Sequence, residues 1–483
     1  MGVQLGDRVS TIAWNGYRHL ETYYAVSGIG AVLHTINPRL HPEQLAYIIN
    51  HADDQYVFVD LTFLPLIEAV HTHCPRVRAF VLMCERAQMP AASKVPNLLC
   101  YEEVIAGKNT DCDWPQFDEN SACSLCYTSG TTGNPKGVLY SHRSTVLHAY
   151  GSALPNAMDV SSHDVVLPVV PMFHVNAWGL PYSVLLCGAK FVFPGPALDG
   201  KSLFELFESE KVTFSAGVPT VWLGLITYAK QNDLKFSHFR RTVIGGSACP
   251  PAMMQTLIDD FGVEVVHGWG MTEMSPLGTA GGLLAKHMDL PVAEQRKILQ
   301  KQGHAVFDVD MKIVDDEGRE LPWDGKSYGH LMVRGPWIAA GYFRGEGGEV
   351  LQDGWFPTGD VATIDEDAYM QITDRSKDVI KSGGEWIGTI DLENIAMAHP
   401  KVAQAACIGM RHPKWDERPL LVVVKKPGVE LSKEEILQFY EGKIAKWWTP
   451  DDVVFIEAIP LGATGKVLKT KIRETLKDYQ FPS

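Results

Sequence analysis

The chain carries the segment YTSGTTGNPKGV at residues 127–138, directly after an apolar run. Its glycines let backbone N–H groups approach phosphate oxygens, its hydroxyl side chains add hydrogen bonds, and its lysine adds positive charge. The segment is therefore typical of a loop that wraps the phosphates of a nucleotide. A flexible surface loop is the alternative interpretation, because runs of Gly, Ser and Thr commonly form one.

The P-loop pattern G-x-x-x-x-G-K-[ST] does not fit this segment. Asn134 and Pro135 separate Gly133 from Lys136, and Gly137 stands where Ser or Thr is required. The loop instead resembles the signature of the acyl-adenylate-forming enzymes, which include acyl-CoA synthetases, luciferases and the adenylation domains of peptide synthetases.

Further segments continue the resemblance, in the family's order and over most of the chain. They are PMFHVNAW at 171–178, GGSA at 245–248, GWGMTE at 268–273, GHLMVRG at 329–335, WFPTGD at 355–360, DRSKDVIKSGGEW at 374–386 and GKVLKT at 465–470. Each segment alone is a weak indication, but together and in order they are specific. Within the family, the medium- and long-chain fatty-acyl-CoA synthetases are the most similar group.

Composition excludes some other classes. The formal net charge of −14 argues against a nucleic-acid partner, which favours a basic surface. Neither a basic, apolar leader nor an apolar run of the ~18–20 residues that span a bilayer is visible, and nine scattered cysteines are typical of a reducing compartment. These features predict a cytoplasmic protein.

Cys123 and Cys126 form one Cys-x-x-Cys pair, which we interpret as buried and structural rather than as a metal or redox site.

Hydrophobic periodicity predicts an α/β fold with a largely parallel sheet. Helix-like and strand-like segments alternate from Leu203 to Val266, and short strands and turns follow from Asp308. In such a fold, ligands bind at the carboxyl ends of strands, and we expect the motifs to lie in strand-to-helix loops. A final segment from Asp374 is long enough for a small α/β domain.

The resemblance implies a domain organisation. It predicts a large N-terminal adenylation domain at 1–373, with parallel and mixed sheets and a β subregion, a hinge at 374–377, and a small mobile α/β domain at 378–483. The similarity starts about 50 residues into the family's pattern, so a first strand and helix of a full-length domain are expected to be missing.

The same resemblance implies an ATP site with Mg²⁺. Trp269 offers a flat face to adenine, Asp360 accepts hydrogen bonds from the ribose hydroxyls, and Arg375 reaches ribose or phosphate. Glu273, helped by the Thr128 hydroxyl, is predicted to ligate Mg²⁺, because carboxylate and hydroxyl oxygens suit this cation. The other predicted ATP/AMP-binding residues are Ser129, Gly130, Thr131, Thr132, Gly133, Lys136, Gly246, Ser247, Ala248, Gly270, Thr272, Lys377, Lys381 and Trp386.

Catalysis is expected to depend on Lys466. In the family this lysine enters the site from the last domain and bridges the acyl carboxylate and the α-phosphate. Lys377 occupies the family's hinge position, about which the C-terminal domain rotates before CoA reacts. The CoA path is predicted to run along Ser382, Gly383, Gly384 and Glu385.

The acyl group is predicted to enter beside Trp178, with His174 and Val175 as neighbours. In the most similar family members the Trp178 position gates an apolar tunnel. The alternative is that His174 and Trp178 only pack into a helix and the core. Gly388 and Thr389 depart mildly from the family pattern, near the CoA path.

The predicted function is therefore ATP-dependent activation of a medium- or long-chain fatty acid to acyl-AMP and its transfer to CoA. A CoA ligase for a short, sulfur-containing (3-methylthiopropionate-like) or aromatic acid is the first alternative, and a luciferase-type or carrier-type acceptor is another. A non-catalytic adenylate-binding protein is the alternative of a different class. Expected partners are a fatty or other small carboxylic acid, ATP and CoA. Peripheral membrane contact and a homodimer are compatible with the resemblance.

Overall fold

The computed structural model describes residues 1–128, 134–383, 385–462 and 466–481. In these residues the chain forms two seven-stranded sheets, followed by a four-stranded and a five-stranded sheet. The sheets follow one another along the chain, so each is built from a continuous part of the sequence.

The first sheet has the strand order β5-β4-β3-β1-β2-β6-β7. All neighbouring strands are parallel except β6 and β7, which form an antiparallel hairpin. Its strands are β1 (Arg8–Ile12), β2 (Val32–Thr35), β3 (Asp54–Val59), β4 (Ala79–Leu82), β5 (Leu98–Cys100), β6 (Ala122–Tyr127) and β7 (Gly137–Ser141).

The second sheet has the order β14-β13-β12-β11-β10-β8-β9. The pairs from β9 to β12 are parallel, and β13 and β14 continue the sheet in antiparallel pairing. Its strands are β8 (Val165–Pro168), β9 (Lys190–Phe191), β10 (Phe214–Gly217), β11 (Arg241–Ile244), β12 (Glu264–Gly270), β13 (Leu277–Ala280) and β14 (His304–Ala305).

The third and fourth sheets are smaller. The antiparallel third sheet contains β15 (Asp310–Val314), β16 (Tyr328–Arg334), β17 (Phe356–Ile364) and β18 (Met370–Arg375). The fourth contains β19 (Ile380–Ser382), β20 (Glu385–Ile387), β21 (Val402–His412), β22 (Asp416–Lys425) and β23 (Asp452–Phe455), and only β23 pairs in parallel. The predicted antiparallel β subregion corresponds to the third sheet.

Helices flank these sheets, and several begin at a residue whose chemistry favours a helix start. Asp199 and Ser141 accept hydrogen bonds from the first-turn N–H groups of their helices, and Pro219 and Pro251 occupy first-turn positions. The helices up to the third sheet are α1 (Tyr17–Gly28), α2 (Pro42–Ala52), α3 (Leu64–Val70), α4 (Tyr101–Ile105), α5 (His142–Ala153), α6 (Val175–Trp178), α7 (Leu180–Leu186), α8 (Gly200–Glu210), α9 (Pro219–Gln231), α10 (Pro251–Gln255) and α11 (Val292–Leu299). Those of the last part are α12 (Thr389–Met397), α13 (Lys433–Gln438) and α14 (Lys469–Thr475).

One hydrophobic core joins the first three sheets. It contains Leu33 of β2, Phe214 of β10 and Leu331 of β16, all fully buried. The fourth sheet has a separate core that includes Ile380 and Leu421. Because burial of apolar surface is the main stabilising contribution, the separate core is what a small second domain requires. The predicted α/β fold with a large N-terminal part and a smaller C-terminal part is confirmed. Within the described ranges, none of the helices has the length and apolarity to cross a membrane.

The predicted position of the motifs is wrong for several of them. We expected every motif in a strand-to-helix loop, but residues 128–136 connect the antiparallel strands β6 and β7, and the segments at 268–273, 329–335 and 355–360 overlap the strands β12, β16 and β17. The segment Gly137–Ser141 forms a strand because its buried Val138 and Tyr140 pack on the sheet. The GGSA segment does lie between a strand and a helix, β11 and α10.

Candidate active site

The predicted phosphate loop is closed at its base by two hydrogen bonds. The Thr128 backbone N–H donates to the Lys136 carbonyl oxygen at 2.9 Å, and the Lys136 N–H donates to Thr128 Oγ1 at 3.2 Å. The Lys136 ammonium group lies 4.8 Å from the centre of the Tyr342 ring, a cation–π contact at an exposed side chain. The base of the loop therefore carries one hydroxyl group and one ammonium group.

Some predicted residues lie outside the described part of the chain. These are Ser129, Gly130, Thr131, Thr132, Gly133 and Gly384, together with the side chain of Glu385. Their predicted roles therefore stay predictions.

Trp269 and Asp360 come from different sheets and are joined by a hydrogen bond. The indole Nε1–H of Trp269 donates to Asp360 Oδ2 at 2.9 Å, and Arg375 Nε pairs with Asp360 Oδ1 at the same distance. The Asp360 carboxylate is 2% exposed, and burial raises its pKa, which the charge of Arg375 opposes. Gly270 follows Trp269 where a Cβ would stand 2.0 Å from the Pro276 carbonyl oxygen, so only glycine fits there.

Gly246, Ser247 and Ala248 lie at the carboxyl end of β11. Gly246 and Ser247 are exposed, and Gly246 has a φ of +78°. The strand β12, which carries Trp269, is adjacent to β11 in the sheet. A planar ligand could therefore lie against both the exposed backbone at Gly246–Ser247 and the strand that carries Trp269.

Glu273 is a buried carboxylate with one hydroxyl partner. Its side chain is 7% exposed, and Oε1 accepts a hydrogen bond from the Tyr342 hydroxyl at 2.7 Å. Burial, followed by the charge of Glu273, raises the pKa of Tyr342 well above its usual range, so Tyr342 stays a donor. The neighbouring Thr272 carbonyl accepts a hydrogen bond from Tyr140, which anchors the short helical turn that carries Glu273. Sequence reasoning missed both tyrosines.

Glu273 and Thr128 offer the oxygen donors that a hard divalent cation requires. No cluster of three or more His, Cys, Asp or Glu side chains suited to a metal occurs among the residues described. A Mg²⁺ ion needs only a few protein ligands when phosphate oxygens complete its coordination. The residues present therefore fit Mg²⁺ bound together with a nucleotide.

Lys466 reaches this cluster from the last part of the chain. Lys466 is exposed, yet the surrounding protein excludes enough water to lower its pKa, and the charge of Arg375 lowers it further. Asp360 and Glu273 oppose the shift because they stabilise the ammonium form. The structure thus brings Lys466, Arg375, Asp360 and Glu273 into one electrostatic group.

His174 is a second group that interacts electrostatically with Lys466. Burial, and then the positive charge of Lys466, lower the pKa of His174 to about 4. The imidazole is therefore neutral at physiological pH. It precedes the turn Val175–Trp178, in which Val175 is buried and Trp178 is half-buried.

The remaining predicted nucleotide-binding residues lie in the turn before the fourth sheet and in its strands β19 and β20. Lys377 is exposed in the turn between β18 and β19. Lys381 lies 5.1 Å above the ring of Trp386, which also contacts Tyr328 and His330 of β16. Lys381 and Trp386 therefore contact one another, and Trp386 contacts the third sheet, whereas the Asp360 cluster forms without them.

The beginning of the predicted CoA path is a tight turn. Ser382 is buried and its hydroxyl accepts a hydrogen bond from Arg418 at 3.2 Å. Gly383 follows with a φ of +61° and is exposed.

The Cys123 and Cys126 thiols are buried, and burial raises the pKa of each to about 11, in agreement with the structural interpretation of that pair.

Comparison with known proteins gives matches over nearly the whole chain. A family model described as AMP-binding enzyme matches residues 1–343, and one described as AMP-binding enzyme C-terminal domain matches residues 391–466. A 3-methylmercaptopropionyl-CoA ligase of Ruegeria lacuscaerulensis is 58% identical, over 99% of this chain and 88% of the relative.

A second relative and a solved structure extend the comparison. A medium-chain-fatty-acid–CoA ligase of Ectopseudomonas oleovorans is 54% identical, over 100% of this chain and 88% of the relative. The crystal structure of an anthranilate CoA ligase in complex with anthranoyl-AMP superposes with a TM-score of 0.87 at 26% identity, covering 99% of this chain and 88% of that one. These matches confirm the resemblance that the motifs indicated.

Proposed function

Because this chain belongs to the AMP-binding enzymes, we propose that it is an acid–thiol ligase that forms an acyl adenylate from a carboxylic acid and ATP and transfers the acyl group to CoA. The observation that carries this proposal is the group of Lys466, Arg375, Asp360 and Glu273. Two cations and two carboxylates that interact with one another are suited to a bound nucleotide whose charge changes during the reaction.

In the first step, a carboxylate oxygen of the acid attacks the α-phosphorus of ATP. A new P–O bond forms, the bond to the β-phosphate oxygen breaks, and pyrophosphate leaves. No general base is needed, because a carboxylic acid with a pKa near 4–5 is already ionised at neutral pH. Lys466 neutralises negative charge that develops at the α-phosphate, and Asp360 and Glu273 help to keep its ammonium group protonated.

Asp360 and Trp269 position the nucleoside. The Asp360 carboxylate, oriented by Trp269 and Arg375, accepts hydrogen bonds from the ribose hydroxyls. Glu273 and Thr128 would hold Mg²⁺, which supplies charge neutralisation to the phosphates when it is bound. Tyr342 orients the Glu273 carboxylate for this purpose.

In the second step, the CoA thiol attacks the acyl carbonyl carbon. The C–S bond forms, the C–O bond to AMP breaks, and the thiol proton leaves to solvent. Lys466 occupies the site in the conformation described, so the thiol requires a different one. The exposed turn at Lys377 is the proposed hinge, and Ser382, Gly383, Gly384 and Glu385 the proposed CoA path.

Two classes of acid are candidates for the substrate. The medium-chain-fatty-acid–CoA ligase supports a fatty acid, and the 3-methylmercaptopropionyl-CoA ligase, at slightly higher identity, supports a short thioether acid. Both acids carry a flexible apolar tail that Trp178 and its neighbours can cover.

A non-catalytic adenylate-binding protein is disfavoured because Lys466, Glu273 and Asp360 are all present. A homodimer, peripheral membrane contact and cytoplasmic location stay predictions.

The deciding experiment is pyrophosphate release from ATP with a panel of acids. The panel contains straight-chain acids from C2 to C18, 3-methylthiopropionate and aryl acids, each with and without CoA and Mg²⁺. We expect acid-dependent release that CoA accelerates, with a maximum at either the thioether acid or a medium-chain acid. Absence of release with every acid would contradict the proposed function.

A further inference from the structure

The turn Val175–Trp178 has an unusual backbone for its sequence. Val175, Asn176, Ala177 and Trp178 have φ values of +47°, +50°, +46° and +60°, so four successive residues other than glycine adopt the left-handed conformation. Each such residue costs free energy, and β-branched and bulky residues tolerate the conformation least. Contacts with the rest of the protein must therefore hold this turn in place.

The residue after the turn, Gly179, also adopts the left-handed conformation. Gly179 has a φ of +80°, and a Cβ there would stand 2.6 Å from Cε1 of His148. His148 is itself held, because its Nε2 accepts a hydrogen bond from the Leu277 N–H at 3.1 Å. The end of the turn thus lies against a rigid ring and admits only glycine.

The strongest contacts of the turn come from the side chain of Asn176, which is 2% exposed. Its Nδ2 donates to Ser124 Oγ of β6 at 2.9 Å. Its Oδ1 lies 3.2 Å from the Tyr23 hydroxyl of α1 and 3.4 Å from the Thr35 hydroxyl of β2. One buried amide therefore connects the left-handed turn to two strands of the first sheet and to the helix α1.

The position of this turn determines the position of the Trp178 indole. Trp178 is only two residues from Asn176, and its ring lies where a Cβ on Gly245 would stand 3.3 Å from indole Cη2. If the turn relaxed towards a right-handed conformation, the indole would leave this surface. The contact between Trp178 and the predicted nucleotide-binding segment at 245–248 therefore depends on the backbone that Asn176 holds.

We propose that Asn176 is a positioning residue that determines acid selectivity by holding the left-handed turn and, through it, the Trp178 indole. The proposal rests on the proposed function, since it assigns a role within that acyl site. A purely structural role is the competing explanation, because any buried hydrogen-bonded amide contributes to stability.

Four variants and a double mutant separate the two roles. Asn176→Ala removes the whole amide, and Ser124→Ala removes only the partner of Nδ2. Trp178→Ala removes the indole, and the double mutant Asn176→Ala/Trp178→Ala tests whether the two act together. Tyr440→Phe is the control, because it removes one buried hydrogen bond, from the Tyr440 hydroxyl to the Leu392 carbonyl, in the C-terminal part.

Each protein is assayed for pyrophosphate release with C4, C8 and C12 acids and 3-methylthiopropionate, for the KM of ATP, and for its melting temperature. We expect Asn176→Ala to shift kcat/KM towards longer acids by about five- to tenfold, a larger factor than its effect on the KM of ATP, and Ser124→Ala to shift it less in the same direction. Adding Asn176→Ala to Trp178→Ala should cause no further shift. Tyr440→Phe should lower the melting temperature and leave the acid profile unaltered.

An unchanged acid profile in Asn176→Ala and Ser124→Ala would overturn the proposal and leave Asn176 a structural role. Additive effects of Asn176→Ala and Trp178→Ala would overturn the coupling to the indole. If Asn176→Ala does not fold, Ser124→Ala carries the same test alone. A wild-type protein that releases no pyrophosphate with any acid would overturn the proposed function itself, an outcome distinct from a competent enzyme with an unaltered profile.

Discussion

The indole N–H of Trp269 donates a 2.9 Å hydrogen bond to the buried carboxylate of Asp360, 91 residues further along the chain. This bond connects β12 of the second sheet to β17 of the third. Arg375 of the adjacent β18 contacts the other oxygen of the same carboxylate. The proposed adenine and ribose contacts are thereby built as one unit, and the carboxylate is oriented before any nucleotide binds.

Replacement of Asp360 should therefore weaken nucleotide binding more than it weakens the fold. We expect Asp360→Asn to raise the KM of ATP by about ten- to a hundredfold, since a hydrogen bond to a charged group contributes about 1.5–3 kcal/mol. Steady-state kinetics with varied ATP measure the change. Asp315→Asn, on an exposed turn of the third sheet, is the control. An unaltered KM of ATP would remove Asp360 from the nucleotide site.

Tyr342 should act on the metal requirement through Glu273. Tyr342→Phe removes the 2.7 Å hydrogen bond to Oε1 and leaves the ring that contacts Lys136. We expect the Mg²⁺ concentration for half-maximal activity to rise by about tenfold, the lower end of what loss of an outer-shell partner costs a metal site.

The matched control for that prediction is Tyr101→Phe. It removes a tyrosine-to-glutamate hydrogen bond of the same 2.7 Å length, to Glu21, at the start of α4. Magnesium titrations of both variants should differ. Identical dependence on Mg²⁺ in the two proteins would mean that Tyr342 does not orient a metal ligand.

The hinge proposal predicts a separation of the two half-reactions. Lys377→Pro places a residue with a restricted φ in the turn between β18 and β19, and should hinder rotation about it. We expect acyl-AMP formation to be largely retained and thioester formation to be lost. Lys377→Ala, which keeps the backbone free, should retain both. If the proline variant forms thioester at the wild-type rate, the chain rotates about another position.

Stability should fall as the solution is acidified from about pH 6.5 towards pH 4. Burial lowers the pKa of His19 and His267 to about 4 and of His148 to about 3. Below pH 6.5 the unfolded chain binds protons at these histidines that the folded chain does not, so protonation favours unfolding. Asp60, whose pKa burial raises to about 6, and other carboxyl groups whose pKa burial raises, among them Asp360 and Asp374, oppose the effect. The contribution of the histidines is therefore measured by comparing a histidine variant with the wild type.

Melting temperatures between pH 7.5 and 4.5 test this expectation. His148→Gln keeps a hydrogen-bond acceptor for the Leu277 N–H but has no group to protonate. Its melting temperature should therefore depend less on pH than that of the wild type. Equal pH dependence of the two proteins would show that His148 does not contribute to acid lability.

The sequence predicted the helices and strands around the site well where the apolar pattern was strong. The predicted alternation of helix-like and strand-like segments from Leu203 to Val266 includes Leu203–Phe207, which lies in α8, and Thr242–Ile244, which lies in β11. The phosphate loop was assigned to a strand-to-helix connection, because the pattern does not show that Gly137–Ser141 turns back as an antiparallel strand. Residue types identified the motifs, but the direction of the next strand depends on packing.

Side-chain hydrogen bonds between residues far apart in the sequence could not be predicted. Tyr342 and Glu273 are 69 residues apart, and Asn176 and Ser124 are 52 apart. Neither Tyr342 nor Asn176 differs in local pattern from an ordinary buried polar residue. The left-handed turn is also unpredictable from local preference, since Val175 and Trp178 disfavour that conformation. The fold imposes it through long-range contacts.

The most direct test of the account is a measurement of both half-reactions in Lys466→Ala. Lys466 is proposed to stabilise only the transition state of adenylation, so its removal should lower acid-dependent pyrophosphate release by about 10²–10³-fold. Thioester formation from supplied acyl-AMP and CoA should proceed at close to the wild-type rate. An equal loss in both half-reactions, or full adenylation without the lysine, would contradict the role given to the cluster of Lys466, Arg375, Asp360 and Glu273.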